Sequence, residues 1–332
     1  MNMPKEWNAA QLLELSGSHW PSCALQAAVE LGVFTSLADQ ALTTGDLAGH
    51  LGCDRRALGM LLDALVAMRL LRRAGDAYAN TAAARRLLAA DSAEYLGNII
   101  RHHYHLLEAW SRLDRGVKTG RPPRERASWS EEEWRESFLR GMADLVRQIA
   151  PQIVPAVDLA DRRQLLDLGG GPGSWAAYFC RQNPLLRATV VDLPTTRPVA
   201  EANIAAFGLS DRIDFQAADF LAEEIPGRYD VAWLSQILHG EGPQECRAIV
   251  GKAAAALEPG GILMIHEFIL DDDRSGPVFP ALFSLNMLLQ TQRGQSYTEG
   301  DLAEMLRQAG FSQVRRLPLP AHLQSGILAA RR

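Results

Sequence analysis

The chain has 332 residues, enough for two domains with cores of their own. Its 34 basic and 39 acidic residues leave a net charge of −5, which argues against a nucleic-acid partner. Four cysteines without ligand spacing, Cys23, Cys53, Cys180 and Cys246, argue against disulfides and structural zinc, and no apolar run reaches the roughly 18 residues of a membrane span. The start, MNMPKEWNAAQLLELSG, has no basic stretch followed by an apolar core. The protein is therefore read as cytoplasmic, with neither membrane nor nucleic acid among its partners.

From Leu12 to about Leu96, apolar residues recur every three or four positions, as in CALQAAVELGVF and RRALGMLLDALVAMRLL, and predict short packed helices. LRRAGDAYANT then reads as a β-wing turning at Gly75 and Asp76, so the unit has a helix-turn-helix and wing. A DNA-reading helix needs an exposed polar face, yet DRRALGMLLDALVAMRLL reads as apolar around most of its circumference. Packing against another protein surface is favoured over DNA binding. The predicted division is a helical winged-helix-like domain over 1–100, bridging helices over 101–152 interrupted by the loop KTGRPPRERASWS, and a third region over 153–332. In that region the short runs QLLDL, ATVVDL, DVAWLS and GILMIHEFIL alternate with helical stretches at βαβ spacing, which predicts an α/β fold with a mostly parallel, doubly wound sheet.

The stretch LLDLGGGPGSW runs a strand into Gly169, Gly170, Gly171, Pro172 and Gly173, a turn whose missing Cβ atoms let a ligand approach the backbone. Dinucleotides and S-adenosylmethionine both use such loops, and GPGSWA satisfies even a permissive dinucleotide pattern. Asp192 ends the next strand where a carboxylate accepts from ribose hydroxyls, which serves either ligand. Asp219 and Phe220, after RIDFQAADF, add an acceptor and an apolar neighbour for an adenine. Asp167 can accept from the ammonium of a methionine moiety and would repel a pyrophosphate. Together these favour S-adenosylmethionine, with S-adenosylhomocysteine as the product.

In their order, LLDLGGGPG, VVDLP, ADF, YDVAWLSQILH and LEPGGILMIHEFIL resemble the S-adenosylmethionine-dependent O-methyltransferases of the plant caffeate and hydroxyindole type and their bacterial polyketide-tailoring relatives. The resemblance covers nearly the whole chain. It implies a Rossmann-like class I methyltransferase domain behind a winged-helix dimerisation domain, and hence a homodimer. It also implies a cofactor site of Asp167, Gly169, Gly171, Gly173, Asp192, Leu193, Asp219, Phe220 and Ser235. Phe138 and Met142 match bridge-helix positions that line the family's acceptor pocket, and FSLNMLL offers Asn286 and Met287.

His239, after the run VAWLSQIL, falls on the ligand-binding edge and is a candidate general base. An imidazole and a phenol ordinarily titrate about 3.5 units apart, so proton loss is expected to accompany methyl transfer or to follow acidification by the nearby sulfonium. Glu267 matches the acid that orients this histidine, while His266 alternates to the other face of its strand. Two departures are Gly240 and Ser296, where the family commonly carries acids; Glu241 is a displaced substitute for the first. His102 and His105, one turn apart, and the aspartates of LDDDRSG are read as pocket rim or core and as a solvated loop rather than metal sites, so no metal is assigned. The reading is methyl transfer to a hydroxyl of a small aromatic or polyketide-like acceptor. N-, S- or C-methyl transfer, a non-catalytic cofactor-binding regulator and an NAD-dependent dehydrogenase are the alternatives.

Overall fold

The structure is a computed structural model that describes residues 4, 6–123 and 132–332; the predicted loop KTGRPPRERASWS lies outside the described residues from 124 onward. The chain divides between Leu107 and Glu108 into two compact units.

The first unit opens with helix α1 (Ala9–Gly17), begun by a reciprocal cap in which Gln11 N–H donates to Asn8 Oδ1 at 3.0 Å and Asn8 N–H to Gln11 Oε1 at 3.1 Å. Helices α2 (His19–Glu30) and α3 (Val33–Ser36) lead to strand β1 (Leu42–Thr43), α4 (Thr44–Leu51) and α5 (Arg55–Ala67). Strands β2 (Leu71–Ala74) and β3 (Ala77–Asn80) pair antiparallel about Gly75, and β1 joins the other edge of β3, completing a winged-helix sheet. Helices α6 (Ala82–Leu88) and α7 (Gly97–Trp110) follow, with the unit boundary inside α7. The core gathers Val33, Phe34, Leu37, Leu47, Leu62 and Leu65. The structure corrects one reading of α5. Its 3.6-residue period sends Leu58, Leu62 and Leu65 inward and leaves Arg55, Arg56, Met60 and Asp63 exposed, so its apolar face is a single stripe.

The second unit begins with α8 (Leu113–Thr119) and the long α9 (Glu132–Ile153). A repeating pattern follows: β4 (Gln164–Leu168), α10 (Ser174–Gln182), β5 (Arg187–Asp192), α11 (Arg197–Ala206), β6 (Ile213–Ala217), β7 (Tyr229–Ser235), α12 (Pro243–Ala256) and β8 (Leu257–Glu267). Helices α13 (Val278–Gln290) and α14 (Glu299–Gln308) and strands β9 (Ser312–Leu317) and β10 (Gly326–Arg331) close it. The seven strands run in the order β6-β5-β4-β7-β8-β10-β9, parallel from β6 to β8, with β10 antiparallel to both neighbours.

Strands inside such a sheet are covered on both faces and must be apolar throughout. Along β7, Val231 and Trp233 enter the core on one face, while Ala232 and Leu234 enter the core on the other. The strand order reverses between β5 and β7 on either side of β4. In a doubly wound sheet that reversal opens a crevice at the carboxyl ends of the central strands. The glycine loop follows β4, and Asp192, Ser235 and Glu267 end β5, β7 and β8.

Candidate active site

Three chain segments meet at this crevice. The first is the glycine loop, where Gly169 adopts φ +67° and Gly171 φ +53°, left-handed values that a side chain would strain. Gly171 N–H donates to Asp192 Oδ2 at 2.8 Å, so the end of β5 holds the loop after β4. The other oxygen of Asp192 accepts from Leu193 N–H at 2.7 Å and Thr196 Oγ1 at 3.0 Å. Gly173 packs on Val190 and Ile204 and opens α10. Gly169, Gly170, Gly171, Asp192 and Leu193 remain partly exposed. Above Gly171 a methyl group would meet only Leu139, at 3.8 Å, so the loop keeps an open face.

Asp167 precedes the glycines, next to the end of β4. It is fully buried beneath the loop, where Oδ2 accepts from Ala176 N–H at 3.1 Å and Oδ1 has no partner. Burial pushes its pKa up to about 7, against the lowering effect of that bond. It braces the loop and the first turn of α10.

The second segment follows β6. Asp219 Oδ1 accepts from Leu221 N–H at 2.9 Å, and Asp219 N–H donates to Glu223 Oε1 at 2.8 Å, which closes a tight turn. Lys252 Nζ donates to the carbonyls of Phe220, Leu221 and Glu223 and fastens this turn to α12. Asp219 and Phe220 are half-buried at the crevice edge.

The third segment is the turn after β7. Gln236 leaves the strand at φ +61°, Ile237 packs against the glycine loop, and residues Leu238–Gly240 form a short 3-10 helix. Glu267 organises it: Oε1 accepts from the N–H groups of Leu238 (3.0 Å) and His239 (3.3 Å), and Oε2 lies 2.7 Å from His239 Nδ1. With Nδ1 committed to a carboxylate, Nε2 is the nitrogen free to accept a proton. His239 is only 8% exposed, so its ring works away from bulk water. Ser235 Oγ lies 2.8 Å from His266 Nδ1 and is partly exposed.

An aromatic wall stands beside His239. Phe283 meets the imidazole edge-on at 4.8 Å, Phe268 lies parallel to it at 6.4 Å, and Phe279 contacts Phe268 at 4.8 Å. The sequence reading missed all three. The signal was present, since Phe279 and Phe283 share one helix face at i, i+4 and Phe268 directly follows Glu267. Of the four wall residues expected instead, Asn286 accepts from Trp110 Nε1 at 3.0 Å and Met287 is buried. Phe138 and Met142 lie one turn apart on α9, both partly exposed, on either side of the Leu139 that faces Gly171.

The two departures lie in the interior of the unit. Ser296 is fully buried and donates to the Pro280 carbonyl at 2.8 Å, a place where a carboxylate would lose its hydration. Gly240 is buried in the turn, and the next carbonyl, that of Glu241, accepts from Tyr297 Oη at 2.6 Å.

The open glycine loop with carboxylates at the ends of β5 and after β6 fits an adenosyl ligand with its ribose and adenine donors. Among the described residues, no group of three or more His, Cys, Asp or Glu is placed to hold a metal ion, and no helix is long and apolar enough to cross a membrane.

Comparisons with known proteins agree with this fold. A family model for an O-methyltransferase domain matches residues 117–312, and one for an O-methyltransferase dimerisation domain matches residues 13–90. The chain is 36% identical to 3-hydroxy-5-methyl-1-naphthoate 3-O-methyltransferase of Streptomyces sahachiroi, over 96% of this chain and 94% of that one. It is 34% identical to the tetracenomycin polyketide synthesis 8-O-methyl transferase of Streptomyces glaucescens, over 92% and 91%. Human N-acetylserotonin methyltransferase, solved in complex with S-adenosylmethionine, superposes with a TM-score of 0.88 at 27% identity, covering 99% of each chain. The chain therefore belongs to the S-adenosylmethionine-dependent O-methyltransferases, with a class I methyltransferase domain and an O-methyltransferase dimerisation domain.

Proposed function

We propose that this enzyme methylates a hydroxyl of a flat aromatic or polyketide-like acceptor, with His239 as the general base and Glu267 as the residue that orients it. The observation that carries the reading is the 2.7 Å contact between His239 Nδ1 and Glu267 Oε2 beside the Phe268, Phe279 and Phe283 wall. S-adenosylmethionine, when bound, supplies an electrophilic methyl group on its sulfonium. Asp192 holds the ribose, Asp219 the adenine amino group, and the backbone from Gly169 to Gly171 the amino-acid end. Phe138 and Met142 on α9 and the phenylalanine wall bind the acceptor's π-face.

Glu267 fixes the tautomer in which Nδ1 carries the proton, so Nε2 accepts from the acceptor hydroxyl as the oxygen takes up the methyl group. The carboxylate then stabilises the imidazolium until the proton leaves to solvent. The two bacterial relatives named above, with a naphthoate and a tetracenomycin in their names, support the acceptor class. The dimerisation-domain match, with Leu12, Leu13, Trp20 and Met60 exposed on the first unit, supports a homodimer. The test is turnover with radiolabelled S-adenosylmethionine against phenols, naphthols and fused-ring polyketide phenols, with amines and thiols as controls. Label appearing on a nitrogen or sulfur acceptor alone would overturn the reading.

A further inference from the structure

Resting on His239 as the base, we infer that His266 is a positioning residue that sets the root of the turn carrying His239. Glu267 grips the far end of that turn; its near end is Ser235 and Gln236, of which the His266 imidazole reaches Ser235, while Gln236 is held by the backbone carbonyl of residue 266, as the β7–β8 ladder holds it whatever the side chain. Ser235 Oγ lies 2.8 Å from His266 Nδ1, and Gln236 N–H donates to the His266 carbonyl at 2.9 Å. Gln236 sits at φ +61°, a left-handed conformation that a residue with a side chain keeps only when its surroundings impose it. Ile237, one residue on, then packs against the glycine loop, and His239 follows two residues later.

The other ring nitrogen, Nε2, lies 2.9 Å from Ser325 Oγ, immediately before β10. One imidazole thus ties together the ends of β7, β8 and β10. It is fully buried, stacked on Trp233 with centroids 5.5 Å apart and edge-on to Trp175 at 5.3 Å, in the first turn of the helix that follows the glycine loop. Burial drives its pKa down to about 4, so the ring is neutral at working pH and has one donor and one acceptor nitrogen. Serine hydroxyls on both sides satisfy it in either tautomer. A phenylalanine would fill this aromatic pocket as well; the imidazole adds two directional bonds, one of them to the root of the catalytic turn. A displacement of about 1 Å in such a turn is enough to cost up to 10²-fold in rate.

Three substitutions separate the bonds from the packing. His266→Phe keeps a ring and neither bond, His266→Asn places its amide near the Nδ1 position, and His266→Gln places it near Nε2. His266→Phe and His266→Gln are expected to lower kcat at least tenfold, with acceptor KM and S-adenosylhomocysteine affinity within threefold of the parent. His266→Asn is expected to recover kcat to within threefold. The proton NMR signal of the His239 Nδ1–Glu267 hydrogen bond should shift or broaden in His266→Phe and persist in His266→Asn.

An unchanged kcat or an unchanged His239 signal in His266→Phe, equal losses in His266→Asn and His266→Phe, or a loss confined to KM or cofactor affinity would overturn the inference. Should the ring variants fail to fold, Ser235→Ala, which leaves the ring in place, must lower kcat at saturating S-adenosylmethionine more than Ser325→Ala does, with S-adenosylhomocysteine affinity within threefold of the parent; a loss in affinity alone would overturn the inference. Equal effects would overturn it. His239→Ala run in parallel keeps the two readings apart: normal turnover there defeats the base assignment, whereas its loss beside a fully active His266→Phe defeats only the positioning role.

Discussion

Gly169 and Ile237 approach so closely that a methyl group on Gly169 would lie 2.6 Å from Ile237 Cγ2. The end of β4 and the turn that carries His239 are therefore packed as one piece, and the glycine that opens the loop also sets the spacing to that turn. Gly169→Ala would meet this overlap and a φ of +67° at once. Strain of about 1–2 kcal/mol and overpacking of about 1–3 kcal/mol are expected to lower the melting temperature by several degrees. S-adenosylhomocysteine affinity and turnover should fall together. Calorimetry and a thermal melt check this; a variant with normal stability and affinity would show that the loop relaxes freely.

The His239 and Glu267 pair predicts a separation of binding from chemistry. His239→Ala is expected to lower turnover by about 10² to 10⁴ while S-adenosylhomocysteine affinity, measured by calorimetry, stays within a few-fold. Glu267→Gln is expected to cost less, because the side chain keeps its size and loses the charge that stabilises the imidazolium. The double variant should be no slower than His239→Ala alone, since the two act as one unit. Additive losses would mean that Glu267 serves the reaction independently of the histidine.

Two buried groups give stability opposite pH slopes. Asp167, raised from its usual 3.8 to about 7, keeps a proton in the folded chain that the unfolded chain has lost, so its contribution to stability falls as pH rises from about 4 to 7. His266, lowered from 6.5 to about 4, takes up its proton more readily in the unfolded chain, so its contribution rises with pH from about 4 to 6.5. Asp167→Asn should leave stability climbing more steeply with pH across the shared window, and His266→Phe should leave it declining. Denaturation midpoints in urea from pH 4 to 7.5 measure both slopes; identical slopes in parent and variants would contradict the two shifts.

The exposed apolar residues of the first unit predict an association that charge would abolish. Leu13 is 75% exposed and Trp20 72%, on consecutive helices. Leu13→Glu combined with Trp20→Glu is expected to halve the particle mass seen by light scattering at micromolar concentration, with the helical signal in circular dichroism retained. A parent protein already at monomer mass would remove the basis for the prediction.

Local chemistry made much of the molecule legible from its sequence. Strands covered on both faces must be apolar along their length, so QLLDL, ATVVDL and DVAWLS stood out as β4, β5 and β7. A glycine-dense turn after such a strand has few uses other than close approach to a ligand. The positions of Asp192, Asp219 and His239 followed from where strands end in a parallel sheet, and Glu267 was singled out by its resemblance to the family's orienting acid. The tertiary structure decided what each side chain does there. Asp167, one residue before the end of β4, and Asp192, at the end of β5, both stand beside the same loop, yet Asp167 lies beneath it in the core and Asp192 ties the loop at its open edge. The phenylalanine wall joins Phe268, which follows β8, to two residues of α13, and the Ser235, His266 and Ser325 chain joins three strand ends. Strand periodicity assigns a residue to a face. Which neighbour it meets on that face depends on sheet order and register, and those are set by pairing between segments as far apart as His266 and Ile327.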